Sequence, residues 1–258
     1  MQPKHLLREV LAGYREGAIT LEDAVRQIEG LRIEAVGELA RLDLGRSMRC
    51  GIPEVVLAEG KDAVQLATIA GKGVEMSGKS IISRLSPEQF EALKPLGEKE
   101  GHRLIYYEKA RMAVLTSEPR SPTGKGVVAI ITAGTSDIQV AEEARVIAGE
   151  MGCQVRTAYD VGAAGIHRLF PALRDCLDAH VFVVAAGREG TLPAVVAGLV
   201  DRPVIGVPVS TGYGYMGKGK AALASMLQSC SVIAVVNIDA GFIAGAFAAR
   251  IANMVAEQ

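Results

Sequence analysis

Charge of one sign is missing from this sequence. Its 28 lysines and arginines stand against 29 aspartates and glutamates, a net charge of −1. That balance argues against a nucleic-acid partner or an anionic membrane. Long hydrophobic runs are missing too, because the longest apolar stretches are too short to span a bilayer. The chain does not start with a basic, apolar, small-residue leader, and the expectation is a cytoplasmic protein. Cysteine is scarce. The four, at 50, 153, 176 and 230, form no CxxC pair, and the four histidines are scattered. Neither a zinc site nor a disulfide framework is suggested. Taken alone, each cysteine reads as a small buried hydrophobe. What remains is 22% charged and 49% hydrophobic in 258 residues, a globular composition with length for one large domain or two modest ones.

The first forty residues read as helical. HLLREVLAGYREG has apolar residues at helical spacing, and TLEDAVRQIEGL restarts with Thr20 as N-cap and Asp23 three residues on. An alternation follows: PEVVLAEG as strand, KDAVQLATIAGKG as helix, SIISRL as strand, and SPEQFEALKPLGEKEG as helix, with Ser86 as cap and Pro87 in the first turn. LIYYEK and RMAVLTS close a small α/β or α+β unit. Residues 116–126 are rich in Pro, Gly, Ser and Thr without apolar period, and mark a domain boundary. The expected domains are 1–118 and 119–258. Strands then read at 127–132, 153–160, 180–187, 202–209 and 232–239. Helical runs lie between and after them, near 138–151, 163–178, 191–200, 218–229 and 241–256. Continuous β-branched runs alternating with helices predict a three-layer, doubly wound parallel sheet.

Ligands of such a sheet bind at the carboxyl ends of its strands. After the first strand, Gly134, Thr135, Ser136 and Asp137 offer amides and hydroxyls at a helix start, either a phosphate cradle or an ordinary N-cap. After the second come Asp160, His167 and Arg168, of which His167 reads more readily as a surface or packing residue. After the third, Gly187, Arg188 and Glu189 form a tight turn, where a charged pair between glycines adds little to a core. After the fourth, STGYGYMGKGK holds Gly212 and Lys218 in a mobile, basic loop of ligand size. The helix ALASMLQSC then delivers Cys230 ahead of the fifth strand.

These motifs, in this order, resemble a known family. GTSD with VAEEA, AAGREGTLPAVVAG, RPVIGVPV, ASMLQSC and AGFIAGAFAARI are similar to the phosphoribosylaminoimidazole carboxylase/mutase (PurE-like) fold over residues 125–256. One departure stands out: Thr191 occupies the place of that family's catalytic histidine. GRSMRCGIPEVVLAEGK, GREGTLP, VSTGYG and LQSC together resemble LarB, the carboxylase/hydrolase of nickel-pincer-cofactor biosynthesis, over nearly the whole chain.

The LarB resemblance implies a reaction in which nicotinic acid adenine dinucleotide and CO2 give pyridinium biscarboxylic acid mononucleotide and AMP. It also implies that Cys230 adds to the electron-poor ring, a task for a soft nucleophile that also leaves well. A carboxylate is expected as base, Glu189 first for its turn position and Asp137 second. Arg188 would hold a substrate carboxylate, and Ser136 with its turn amides the phosphate. Magnesium is expected to offset phosphate charge, with no organic cofactor, and the resemblance implies a homo-octamer. Two rival readings remain: an aminoimidazole ribonucleotide carboxylase with another acid–base residue, and a non-catalytic nucleotide-binding protein.

Overall fold

In the computed structural model, which describes residues 3–117, 124–212 and 214–257, the chain forms two compact units. They are Met1–Tyr106 with Met112–Pro119, and Tyr107–Arg111 with Arg120–Gln258. Residues 118–123 of the expected linker lie outside the described residues.

The first unit opens with α1 (Pro3–Arg15) and α2 (Leu21–Glu29), the second capped by Thr20, whose hydroxyl accepts the Asp23 amide at 3.1 Å. The expectation that helix fills the first forty residues is corrected after α2. There β1 (Ile33–Val36) and β2 (Ala40–Asp43) pair as an antiparallel hairpin, with Ile33 opposite Asp43. Glu, Ala and Leu favour helix in this stretch, but only pairing as strands sinks Val36 and Leu42 together into the core. Tertiary burial therefore overrides local propensity.

After α3 (Arg46–Cys50) come β3 (Val55–Leu57), α4 (Ala63–Ser77), β4 (Lys79–Ser83), α5 (Pro87–Gly97), β5 (Arg103–Tyr107) and β6 (Met112–Thr116). The sheet order is β3-β4-β6-β5. β3 runs parallel to β4, and β4 antiparallel to β6. Reciprocal capping boxes, Asp62 with Gln65 and Ser86 with Gln89, start α4 and α5. Each satisfies amides that the first helical turn leaves without partners.

The second unit is a five-stranded sheet in the order β11-β10-β9-β7-β8, with every described pair parallel. Its strands are β7 (Val127–Thr132), β8 (Gln154–Ala158), β9 (Val181–Ala186), β10 (Val204–Pro208) and β11 (Ala234–Val235). The helices are α6 (Ile138–Glu150), α7 (Leu169–Arg174), α8 (Leu192–Ala197), α9 (Lys220–Leu227) and α10 (Gly241–Ala256).

Successive strand residues face opposite layers, as the two-residue pleat requires. Val128, Ile130, Val181 and Val183 pack against α6 and α10, while Ala129, Ile131, Phe182 and Val184 pack toward α7, α8 and α9. α6 and α10 cross so closely that a Cβ on Gly245 would sit 2.5 Å from the Ala144 carbonyl oxygen.

Two further expectations are corrected. The fifth strand, expected over 232–239, shrinks to Ala234–Val235. It lies on the sheet edge with a single neighbour, β10, and Val232 is 95% exposed. The helical run expected over 163–178 divides into a 3₁₀ turn at Ala163–Arg168 and α7. Gly165, at φ −125° and ψ 54°, breaks it. Among the described residues no helix is long and apolar enough to cross a membrane.

Candidate active site

Counting the strands of the second unit in chain order, the sheet runs 2-1-3-4-5, so neighbouring connections leave in opposite directions from β7 and β9. A crevice opens at the carboxyl edge where the direction reverses. A cavity of about 240 Å³ sits there, and its walls come from the segments following four strands. Gly134, Ser136 and Asp137 follow β7; Gly162, Ala163 and Ala164 follow β8; Arg188 to Leu192 follow β9; Thr211 and Gly212 follow β10. Thr211 ties two of these segments together, its hydroxyl donating to the Ser136 carbonyl at 3.3 Å.

Asp137 is the buried charge of this cavity, only 3% exposed. One carboxylate oxygen accepts the Gly134 amide at 2.8 Å. The other, Oδ1, is buried without a hydrogen-bond partner among the described residues. Burial raises the pKa of the carboxyl, and the amides of Gly134 and Gly187 offset that only in part. Gly187 packs closely on this carboxylate, since a Cβ there would lie 2.9 Å from Asp137 Oδ1. Burial that disfavours the charged form makes a carboxyl chemically able to exchange a proton.

Arg188 and Glu189 line the same cavity but are exposed, as is Thr191, which opens α8 without a side-chain cap. No imidazole is among the described residues of its lining. The expected residues thus divide. Gly134, Ser136, Asp137, Arg188, Glu189 and Gly212 line the cavity, and Gly187 lies directly behind Asp137. Thr135 and Lys218 are exposed and outside the lining, Lys218 with φ 58°. Asp160 and Arg168 pair with each other at 2.8 Å, also outside it. Tyr213 of the glycine-rich loop lies outside the described residues. The sequence reading missed the small residues Gly162, Ala163 and Ala164; the run VGAAG after a strand was their only signal.

Cys230 is exposed and stands apart from the cavity. α9 descends from the carboxyl edge, where Ala222 meets Gly190, past Met226 beside Gly206. Cys230 follows this helix and precedes β11, whose Ala234 is in register with Ile205 near the start of β10. The nucleophile candidate therefore lies toward the amino edge, and a five-residue strand separates the edges by roughly 15 Å.

Comparison with known proteins agrees with this architecture. A family model described as AIR carboxylase matches residues 127–258, and one described as LarB/PurE-like N-terminal domain matches residues 33–118. These matches define the class, a carboxylase-type α/β enzyme. An uncharacterized protein of Methanocaldococcus jannaschii is 42% identical over 96% of this chain and 98% of its own length. The N5-carboxyaminoimidazole ribonucleotide mutase of the same organism is 35% identical over 45% of this chain and 71% of its own. The probable N5-carboxyaminoimidazole ribonucleotide mutase of Methanothermobacter thermautotrophicus is 31% identical over 48% and 37%. The chain belongs to the LarB-type family, an N-terminal LarB domain followed by a PurE-like carboxylase domain.

Proposed function

We propose that this protein carboxylates the pyridinium ring of nicotinic acid adenine dinucleotide and hydrolyses its phosphoanhydride, giving pyridinium-3,5-biscarboxylic acid mononucleotide and AMP. One observation carries the reading. The cavity of a carboxylase fold holds a buried carboxylate, Asp137, one oxygen of which has no hydrogen-bond partner among the described residues. It is also lined by Thr191, which the resemblance to the mutases sets in the place of their histidine. A ring as electron-poor as pyridinium needs a nucleophile to activate it, and Cys230 is the exposed thiol of this unit.

The Cys230 thiolate adds to the ring carbon para to nitrogen, and the ring's electron pair moves onto nitrogen. The neighbouring carbon of the resulting enamine attacks CO2 and forms the new carbon–carbon bond. A carboxylate takes the proton from that carbon, the carbon–sulfur bond breaks, and aromaticity returns with the thiolate released. Water then adds to the phosphoanhydride, and AMP leaves.

For the proton transfer this reading prefers Asp137 to Glu189, the first choice on sequence. A carboxyl held above its ordinary pKa is the stronger base, and Asp137 lines the cavity while being only 3% exposed, whereas Glu189 is exposed. Arg188 remains suited to a substrate carboxylate. Among the described residues no group of three or more His, Cys, Asp or Glu side chains is placed to hold a metal ion. Magnesium in this reading accompanies the substrate's phosphates, and no step is assigned to a protein-bound cation.

Because Cys230 and the cavity occupy opposite edges of one sheet, the thiol is supplied by a neighbouring copy in a homo-oligomer. The test is incubation with nicotinic acid adenine dinucleotide, bicarbonate and magnesium, followed by mass spectrometry of the nucleotides. One added carboxyl on a mononucleotide, with AMP, is expected. Carboxylation of aminoimidazole ribonucleotide instead, or no product with either, would overturn the proposal.

A further inference from the structure

We propose that the N-terminal unit carries a second ligand site, a cavity that takes a nucleoside monophosphate. The cavity encloses about 500 Å³ between the β1–β2 hairpin, α4 and the segment following α5. That is within the range of small-molecule sites. Val36, Ala67 and Leu96 contribute an apolar floor, and Lys72 and Lys99 bring ammonium groups and His102 an imidazole to its lining.

Gly71 shows that the space is kept open. It lies inside α4, where glycine costs helix stability relative to alanine. Packing does not demand it, because a Cβ at residue 71 would meet only the Leu96 methyls, at 3.5 and 3.8 Å. Two residues on, Gly73 is different: a Cβ there would lie 3.1 Å from the Ser80 hydroxyl. The helix thus carries two glycines, one set close against a neighbour and one that lines the cavity. A larger side chain at 71 would occupy the cavity itself.

The chemistry of the walls selects the occupant. An apolar floor suits the face of a flat base, and lysine ammonium groups beside an imidazole donor suit a phosphate dianion. Lys72 already pairs with Glu75 at 3.3 Å. Lys99 and His102 stand at the two ends of one turn, with the His102 amide donating to the Lys99 carbonyl at 2.9 Å. The His102 ring is set by its own bond, Nδ1–H donating to the Leu96 carbonyl at 3.0 Å. Glu75 adds an acceptor for an exocyclic amine at the same cavity. The choice of AMP as the particular nucleotide rests on the reaction proposed above, whereas the site itself does not.

Equilibrium dialysis of the full chain with AMP tests the site, with adenosine and inorganic phosphate as separate arms. Wild type is expected to bind AMP at least about tenfold more tightly than either fragment. Gly71→Leu should melt no lower than wild type and lose this AMP site, because leucine favours the helix and fills the cavity. Lys99→Ala, at an exposed position, should weaken AMP about tenfold or more and leave adenosine unchanged. An isotherm that falls from two AMP sites to one in Gly71→Leu also supports the proposal. AMP binding identical in wild type and Gly71→Leu, or no AMP binding by wild type, overturns it. Carboxylation is read separately, so absence of AMP binding by wild type, or AMP binding unchanged in Gly71→Leu, with turnover intact rejects this site alone.

Discussion

At Asp137 burial and ionisation oppose each other, and the sign of the conflict is measurable. The folded carboxyl titrates above its ordinary value of 3.8 because desolvation disfavours the charge. Folding therefore favours the protonated form. That contribution is complete below the unfolded value and is lost as pH rises through the folded one. Asp137→Asn should consequently melt higher than wild type at about pH 8, with the difference vanishing near pH 4, while carboxylation is abolished. Differential scanning calorimetry across that range checks it, and a constant difference would rule out the raised pKa. The cysteines offer a second measurement. Burial pushes the Cys153 and Cys176 thiols up to about 11, whereas Cys230 is exposed. Iodoacetamide should mark Cys230 ahead of both, and the dinucleotide should slow that labelling. Peptide mass mapping reads the order. Sequence alone singled out Asp137 and Cys230 through their motifs, but burial and the vacant oxygen became visible only when β7 and β9 were side by side.

At the scale of elements, α6 is fastened to the end of β8 through one polar cluster. Tyr159 donates to a Glu142 carboxylate oxygen, and Arg145 holds both oxygens at 2.8–3.0 Å. Desolvation pushes Glu142 upward, yet the Arg145 and Tyr159 hydrogen bonds outweigh it and the carboxyl ends below its usual value. This stabilisation is present above the unfolded pKa and is lost as pH falls through the folded one. Tyr159→Phe should cost about 1.5–3 kcal/mol at neutral pH, the range for a hydrogen bond to a charged group. The check is a lower denaturant midpoint with an unchanged slope. Elements were legible in proportion to their burial. VVAIIT reads as a central strand because both faces of β7 are covered. The hairpin at 33–43 was hidden by a helix-favouring composition, and the short β11 by an apolar run that leaves Val232 in solvent.

For the whole molecule the decisive question is where one active site ends and the next chain begins. If Cys230 serves a neighbour's cavity, then Cys230→Ser and Asp137→Asn are each inactive alone but complement each other. Mixed, dissociated and reassembled in equal amounts, they should recover up to about a quarter of wild-type carboxylation, the fraction of sites given a sound thiol and a sound carboxylate. No recovery, with hybrid oligomers verified by native mass spectrometry, would place thiol and cavity in one chain. Gel filtration of the wild type should show an assembly rather than a monomer.

The sequence by itself determined the class. β-branched runs alternating with helices predicted a doubly wound parallel sheet behind a smaller N-terminal unit, because strand periodicity and turn chemistry are local properties. The resemblance carried by the motifs implied the PurE-like and LarB families. Only the tertiary structure decided which motif residues meet. It gathered Asp137, Arg188, Glu189 and Thr191 around one cavity, turned Asp160 and Arg168 toward each other, and set Cys230 toward the far edge of the sheet. The physical reason is that a parallel sheet brings together residues from strands remote in sequence, while separating a strand's two ends by its own length.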